Sequence, residues 1–175
     1  MTELHPFIRY LQAFREDRGA LAALRRGLGQ PPGTVPSMYP YVVPWLRDNT
    51  SPSEEAAYYL VAALYAYHPQ EGGVGDMGQH FWRARDPSGD NTAVERRFTA
   101  LLAAHPDDLD FYLRQAVSCL KSKERPVPVE WSQLLADVLA WGHPERYVQR
   151  RWARSFWGRS TPENASASET KPTTS

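Results

Sequence analysis

Ser51-Pro-Ser-Glu-Glu-Ala-Ala-Tyr-Tyr-Leu-Val-Ala-Ala-Leu-Tyr-Ala-Tyr-His68 carries the instructions for a helix from start to finish. Ser51 and Glu54 are spaced as a capping box, in which each side chain accepts from the other residue's backbone N–H. Pro52 takes the first helical position, where a missing N–H costs nothing. Beyond the cap, Tyr58, Val61, Leu64 and Tyr65 recur at three- and four-residue spacing. One apolar stripe therefore runs to about His68.

The same period recurs on both sides of this segment. Upstream, Leu4, Phe7, Ile8, Leu11 and Phe14 share a face. After Gly19 a second helix turns Leu21, Leu24 and Leu28 inward and ends at Gly29. Pro31–Pro44 reads as a loop with room for a short helical turn. Downstream, glycine-rich Glu71–Gly78 is a loop, and a short helix with Met77, Phe81 and Trp82 follows. Thr92-Ala-Val-Glu95 looks like a second capping box, opening a helix with Val94, Phe98, Leu101 and Leu102.

Asp107, Asp108 and Asp110 suit the positive end of the next helix, which presents Leu109, Tyr112, Leu113, Ala116, Val117 and Leu120. Pro126-Val-Pro128 breaks the chain before a helix with Trp131, Leu134, Leu135, Val138 and Leu139, ending at Gly142. A last helix is expected from His143-Pro144, burying Val148, Trp152 and Phe156. The expectation is an all-α protein of eight or nine helices in one or two small bundles. Its units would be 1–104 and 105–159, meeting near His105-Pro106, with a disordered tail over 160–175 that is rich in Ser and Thr.

Composition agrees. Ala and Leu number 36 against 12 Val and Ile among 175 residues, a ratio that favours helix over strand. No apolar run approaches the roughly 20 residues of a membrane span, and no signal-peptide pattern opens the chain. The single cysteine, Cys119, leaves no internal disulfide. A cytoplasmic location is expected. The 20 basic and 20 acidic side chains cancel overall, but residues 1–110 carry 10 basic and 14 acidic while 111–159 carry 9 basic and 4 acidic. Seventeen of the 20 cations are arginine, the side chain suited to bidentate phosphate contact.

Catalytic chemistry finds little support. Four of five histidines occur as His-Pro (His5, His68, His105, His143), which fits turns and helix ends. The glycine loop lacks the Gly-Lys-Ser/Thr ending of a phosphate loop, and no strand precedes it. Neither a metal-ligand spacing nor a nucleophile elbow is present, so no catalytic residue, metal or cofactor is expected. The arginines say more. Arg25-Arg26 and Arg96-Arg97 are adjacent pairs on helices, so neither pair points wholly inward. Arg146, Arg150 and Arg154 are spaced by single helical turns, with Arg151 beside them. Lys121, Lys123 and Arg125 follow Arg114 at a helix end. Together they point to a polyanionic partner.

The words Asp17-Arg-Gly-Ala-Leu-Ala-Ala-Leu-Arg-Arg26, Tyr39-Pro-Tyr-Val-Val-Pro44, Glu95-Arg-Arg-Phe98, Leu113-Arg-Gln-Ala-Val117, Val127-Pro-Val-Glu-Trp131 and Val148-Gln-Arg-Arg-Trp-Ala-Arg-Ser-Phe156 occur in this order. They resemble the CasB family, the small subunit of the type I-E CRISPR Cascade surveillance complex, over about residues 4–157. The resemblance implies a non-enzymatic helical subunit, two copies of which lie head to tail along a crRNA-bearing backbone of repeated subunits. It implies large-subunit, crRNA, target-strand and displaced-strand neighbours. It points to Arg25, Arg26, Arg96, Arg97 and Arg114 as nucleic-acid contacts, and charge adds Lys121, Lys123, Arg150, Arg151 and Arg154. The competing expectations are a helical protein-interaction scaffold, a helical enzyme for small molecules and a helix-turn-helix regulator. The last two lack motif support.

Overall fold

The Ser51 capping box forms in full. In the computed structural model, which describes residues 3–158, the Ser51 hydroxyl accepts from the Glu54 N–H at 3.2 Å and the Glu54 carboxylate accepts from the Ser51 N–H at 3.1 Å. The helix it opens, α4 (Pro52–Tyr67), is buried without a break from Val61 to Ala66. A helix apolar all round belongs at the centre of a fold, and α4 is the spine on which the rest is built.

Nine α-helices and no strand occur among the described residues. Before α4 come α1 (Pro6–Gln12), α2 (Arg18–Arg25) and the single turn α3 (Tyr39–Val42) inside the proline-rich stretch. After it come α5 (Met77–Arg83), α6 (Thr92–Leu102), α7 (Leu109–Lys121), α8 (Trp131–Leu139) and α9 (Tyr147–Trp157). Helices α2 and α8 pack along α4, α6 pairs with α7, and α5 lies along α9. One continuous apolar cluster joins them all. The turn expected to divide residues 1–104 from 105–159 falls between α6 and α7, and the α4–α8 and α5–α9 packings both span it. The tail expected over 160–175 lies outside the described residues.

Three His-Pro words use one local device. The Nδ1 atoms of His5, His105 and His143 each accept the N–H two residues ahead, at 3.2 Å, which fixes the turn that the following proline enforces. His68 differs: it is buried at the end of α4, and its Nε2 meets the Val127 carbonyl at 2.8 Å.

Local hydrogen bonding shifts three expected boundaries. α1 is shorter than its apolar stripe, leaving Leu4 and Phe14 outside the helix. The box expected at Thr92 does not form, because Thr92 donates its hydroxyl and its N–H to the Asp90 carboxylate at 2.5 and 2.9 Å. Its neighbour Asn91 is tied to the backbone of Asp86 by two bonds of 2.7 Å. The last helix begins at Tyr147 rather than at His143. Arg146 adopts a left-handed conformation (φ 51°), and its guanidinium donates to the Leu102 carbonyl at 2.7 Å, closing the C-terminal end of α6.

The glycine loop serves packing. A Cβ at Gly73 would overlap the Val129 carbonyl, and one at Gly78 would overlap the Trp152 carbonyl. Backbone approach between α5 and α9 therefore requires a residue without a side chain at Gly78.

Candidate nucleic-acid interface

Each predicted cation owes its position to the apolar residues beside it. In α2, Ala20, Leu21 and Leu24 are buried, which leaves Arg25 and the C-cap residue Arg26 exposed where cations also complement the helix dipole. In α6, Val94, Phe98 and Leu101 take the inner face and Arg96 and Arg97 stand in solvent. In α9, Val148, Trp152 and Phe156 point inward and Arg150 and Arg154 outward. None of these six guanidinium groups has an acidic partner among the described residues.

Two of the cations meet. Arg25 and Lys121, nearly a hundred residues apart in sequence, line one open cleft of about 400 Å³ with Arg15, Tyr67 and His68. Lys121 donates from Nζ to the Tyr67 carbonyl at 2.7 Å and sits 4.0 Å above that residue's ring, so its ammonium is held in place. Arg15 pairs with Glu71 at the same cleft. Arg114 lies two turns before Lys121 on α7, with its guanidinium against Gly29 just after α2. It bonds Asp110 at 3.3 Å, an i,i+4 pair. The pairs on α6 and α9 stand apart from this cleft. Lys123 faces the loop before α6, where the Ser88 N–H and hydroxyl hold the Asp86 carboxyl low and Lys123 adds to the effect.

Arg151 is placed differently from its neighbours. It pairs with Asp137 of α8 and, at 3.5 Å, with Asp76 at the start of α5. Asp137 also accepts from Trp152 Nε1 at 2.7 Å and Gln133 Nε2 at 2.9 Å, and Asp76 accepts from the Ser155 hydroxyl at 2.8 Å. Burial pushes the Asp137 carboxyl up, and its bonds to Arg151, Trp152 and Gln133 oppose the rise. Beside this knot, His80 is buried, and its Nε2 accepts the Glu130 N–H at 3.0 Å. Burial, with Arg83 and His68 adding, pushes its pKa down to about 3, so the ring is neutral.

This polar knot escaped sequence reading. Its one legible signal was Asp76-Met-Gly-Gln79, a capping box that forms with bonds of 2.9 and 3.1 Å. Of the four tryptophans after α7, Trp131, Trp141 and Trp152 are core, and Trp157 is 41% exposed.

Residues 20–157 match the family model described as CRISPR-associated protein Cse2. The chain belongs to the Cse2 family. The matched segment spans all ten cations expected as nucleic-acid contacts. A curated Cse2 protein of Thermus thermophilus is 38% identical over 93% of each chain. The fold is also similar to solved structures: CasB from Thermus thermophilus (37% identity, TM-score 0.72, covering 89% of this chain and 99% of that one) and M. ruber CasB (28%, 0.72, covering 95% and 99%). A chain from a CRISPR RNA-guided surveillance complex is 26% identical with a TM-score of 0.74, covering 92% of this chain and 94% of that one. Among the described residues, no helix is long and apolar enough to cross a membrane.

Proposed function

We propose that the chain is the non-catalytic small subunit of a type I-E CRISPR surveillance complex, where its basic helix faces hold nucleic-acid backbone and stabilise the R-loop between crRNA and target DNA. Its partners would be the repeated backbone subunits, the large subunit, the crRNA, both DNA strands and a second copy of itself. One observation carries the reading: six exposed arginines, Arg25, Arg26, Arg96, Arg97, Arg150 and Arg154, stand on packed helices with no acidic partner among the described residues. Lys121, together with Arg114 beside Gly29 and partly offset by Asp110, extends the first of these patches.

The energetics suit that role. A guide–target hybrid is about as stable as the duplex it replaces, so strand exchange is close to balanced. A few sequence-independent phosphate contacts tip it, and each releases counterions. Base reading is left to the guide.

Charge reversal of Arg25, Arg26, Arg96 and Arg97 tests the proposal. The fold should survive, DNA affinity should fall, and the dependence of log affinity on log salt should flatten by about 0.7–0.9 per lost phosphate contact. An unchanged slope rejects these positions. A second reading, a protein-docking scaffold, draws on a 1010 Å³ groove lined by Leu28, Pro31, Tyr59, Leu60, Leu139 and Trp141 among others. It predicts an unchanged salt slope in the same experiment.

A further inference from the structure

The outward face of α9 sets two cationic side chains between two aromatic ones. At roughly 100° per residue, Tyr147, Arg150, Arg154 and Trp157 fall within a sector of about 80°. The buried residues of α9, Val148, Gln149, Trp152 and Phe156, occupy the opposite side. Tyr147 is 44% exposed and Trp157 41%, the largest aromatic surfaces in the C-terminal part of the chain after Phe111. Each ring is braced. His143 meets Tyr147 edge-on at 5.0 Å, while Phe98 and Phe156 hold Trp157 at 5.4 and 4.8 Å. A ring fixed on one side and open on the other loses little entropy when a flat group stacks on it.

We infer that this face is a platform for an unpaired DNA strand, with Tyr147 and Trp157 stacking on bases while Arg150 and Arg154 hold the phosphates between them. The inference rests on the proposed R-loop role and adds a mode of recognition to it. Ten residues separate the two rings, or ~15 Å along the helix, a span suited to two or three nucleotides of an extended strand. α9 carries no acidic residue to repel the backbone. Stacking needs splayed bases, which a duplex does not offer, so the face favours single strands over duplex. On the other side of α9, Gln149 is buried and donates to the Trp141 carbonyl at 2.9 Å, and the Ser155 hydroxyl donates to Asp76 at 2.8 Å, so neither is spare for a sugar hydroxyl. The commitment to DNA comes from the displaced strand of the proposed R-loop.

The test measures full-length protein against fluorescein-labelled dT20, rU20 and a 20-base-pair duplex across a salt series. Tyr147→Ala with Trp157→Ala should weaken dT20 binding by tenfold or more, leave duplex binding within about twofold and keep the salt slope. Tyr147→Phe with Trp157→Phe should restore dT20 affinity, which separates stacking from a folding defect. Equal losses on dT20 and duplex, no loss on either, or binding confined to rU20 overturns the inference. Its failure is distinct from failure of the R-loop reading, in which the unaltered protein itself would bind none of these probes in a salt-sensitive way.

Discussion

Arg150 and Arg151 are neighbours on α9, and the turn of roughly 100° between them separates two uses of one side chain. Arg150 stands in solvent with no acidic partner among the described residues; Arg151 clamps Asp76 and Asp137, tying α5, α8 and α9 together. The difference lies in the environment, since both carboxylates that Arg151 meets are nearly inaccessible, 7% and 3% exposed. A buried carboxylate has lost its water and depends on its partner, so deleting that partner is expensive. A solvated cation depends on nothing in its own fold and is free to bind elsewhere.

The sharpest way to break this contrast is to truncate each arginine alone. Arg151→Ala should lower unfolding free energy by about 3 kcal/mol, toward the lower end for buried pairs because the guanidinium is partly solvated. Arg150→Ala should stay within about 0.5 kcal/mol. Urea midpoints for the two variants decide the matter. Similar losses would mean that the clamp contributes no more than an ordinary surface charge.

The interior side of the contrast also responds to pH. His80 is held neutral by burial, with a folded pKa of about 3 against 6.5 for an exposed imidazole. Between those values the unfolded chain binds a proton that the folded chain refuses. Stability from this group is therefore complete above pH 6.5 and drains away as pH falls toward 3, by a total on the order of 5 kcal/mol. His68, also lowered by burial, adds in the same direction. His80→Gln should cost stability at pH 7 yet flatten the decline between pH 6.5 and 4 relative to the unaltered protein. Parallel thermal-denaturation profiles for the two would show that His80 does not couple folding to protons.

What the sequence disclosed follows the same inside–outside division. The core was legible because apolar spacing is local: the stripes that place Val61, Leu101 and Leu135 inward need only the helical period. The Ser51 cap was legible because both partners lie within one turn. Thr92 was misread because Asp90 and Asp86, just outside the helix, compete for the same donors and acceptors. Arg25 and Lys121 share a cleft and Arg151 joins Asp76 to Asp137 only through packing of distant segments, which no spacing rule encodes. Arginine count raised the expectation of a polyanionic partner, whereas the assignment of each arginine to lock or surface required the fold.

The smallest effect tests that assignment at a residue between the extremes. Arg114 is partly exposed and bonded to Asp110 at 3.3 Å. An i,i+4 pair of this kind contributes about 0.3–0.5 kcal/mol, so Asp110→Asn should barely move the urea midpoint. It should nevertheless release the guanidinium beside Gly29, next to the cleft of Arg25 and Lys121. If uncommitted cations are what nucleic acid meets, affinity for dT20 at low salt should rise and the salt slope should steepen by up to about 0.7, one additional phosphate contact on a single strand. Asp108→Asn supplies the control. It removes the same charge one residue before α7, and Asp108 has no ion pair among the described residues whose loss would free a cation. A steeper slope in the Asp110 variant alone identifies the freed Arg114 as the source. Equal gains in both variants would reduce the effect to the general field of the protein, and the distinction between committed and uncommitted arginines would then carry no functional weight at this site.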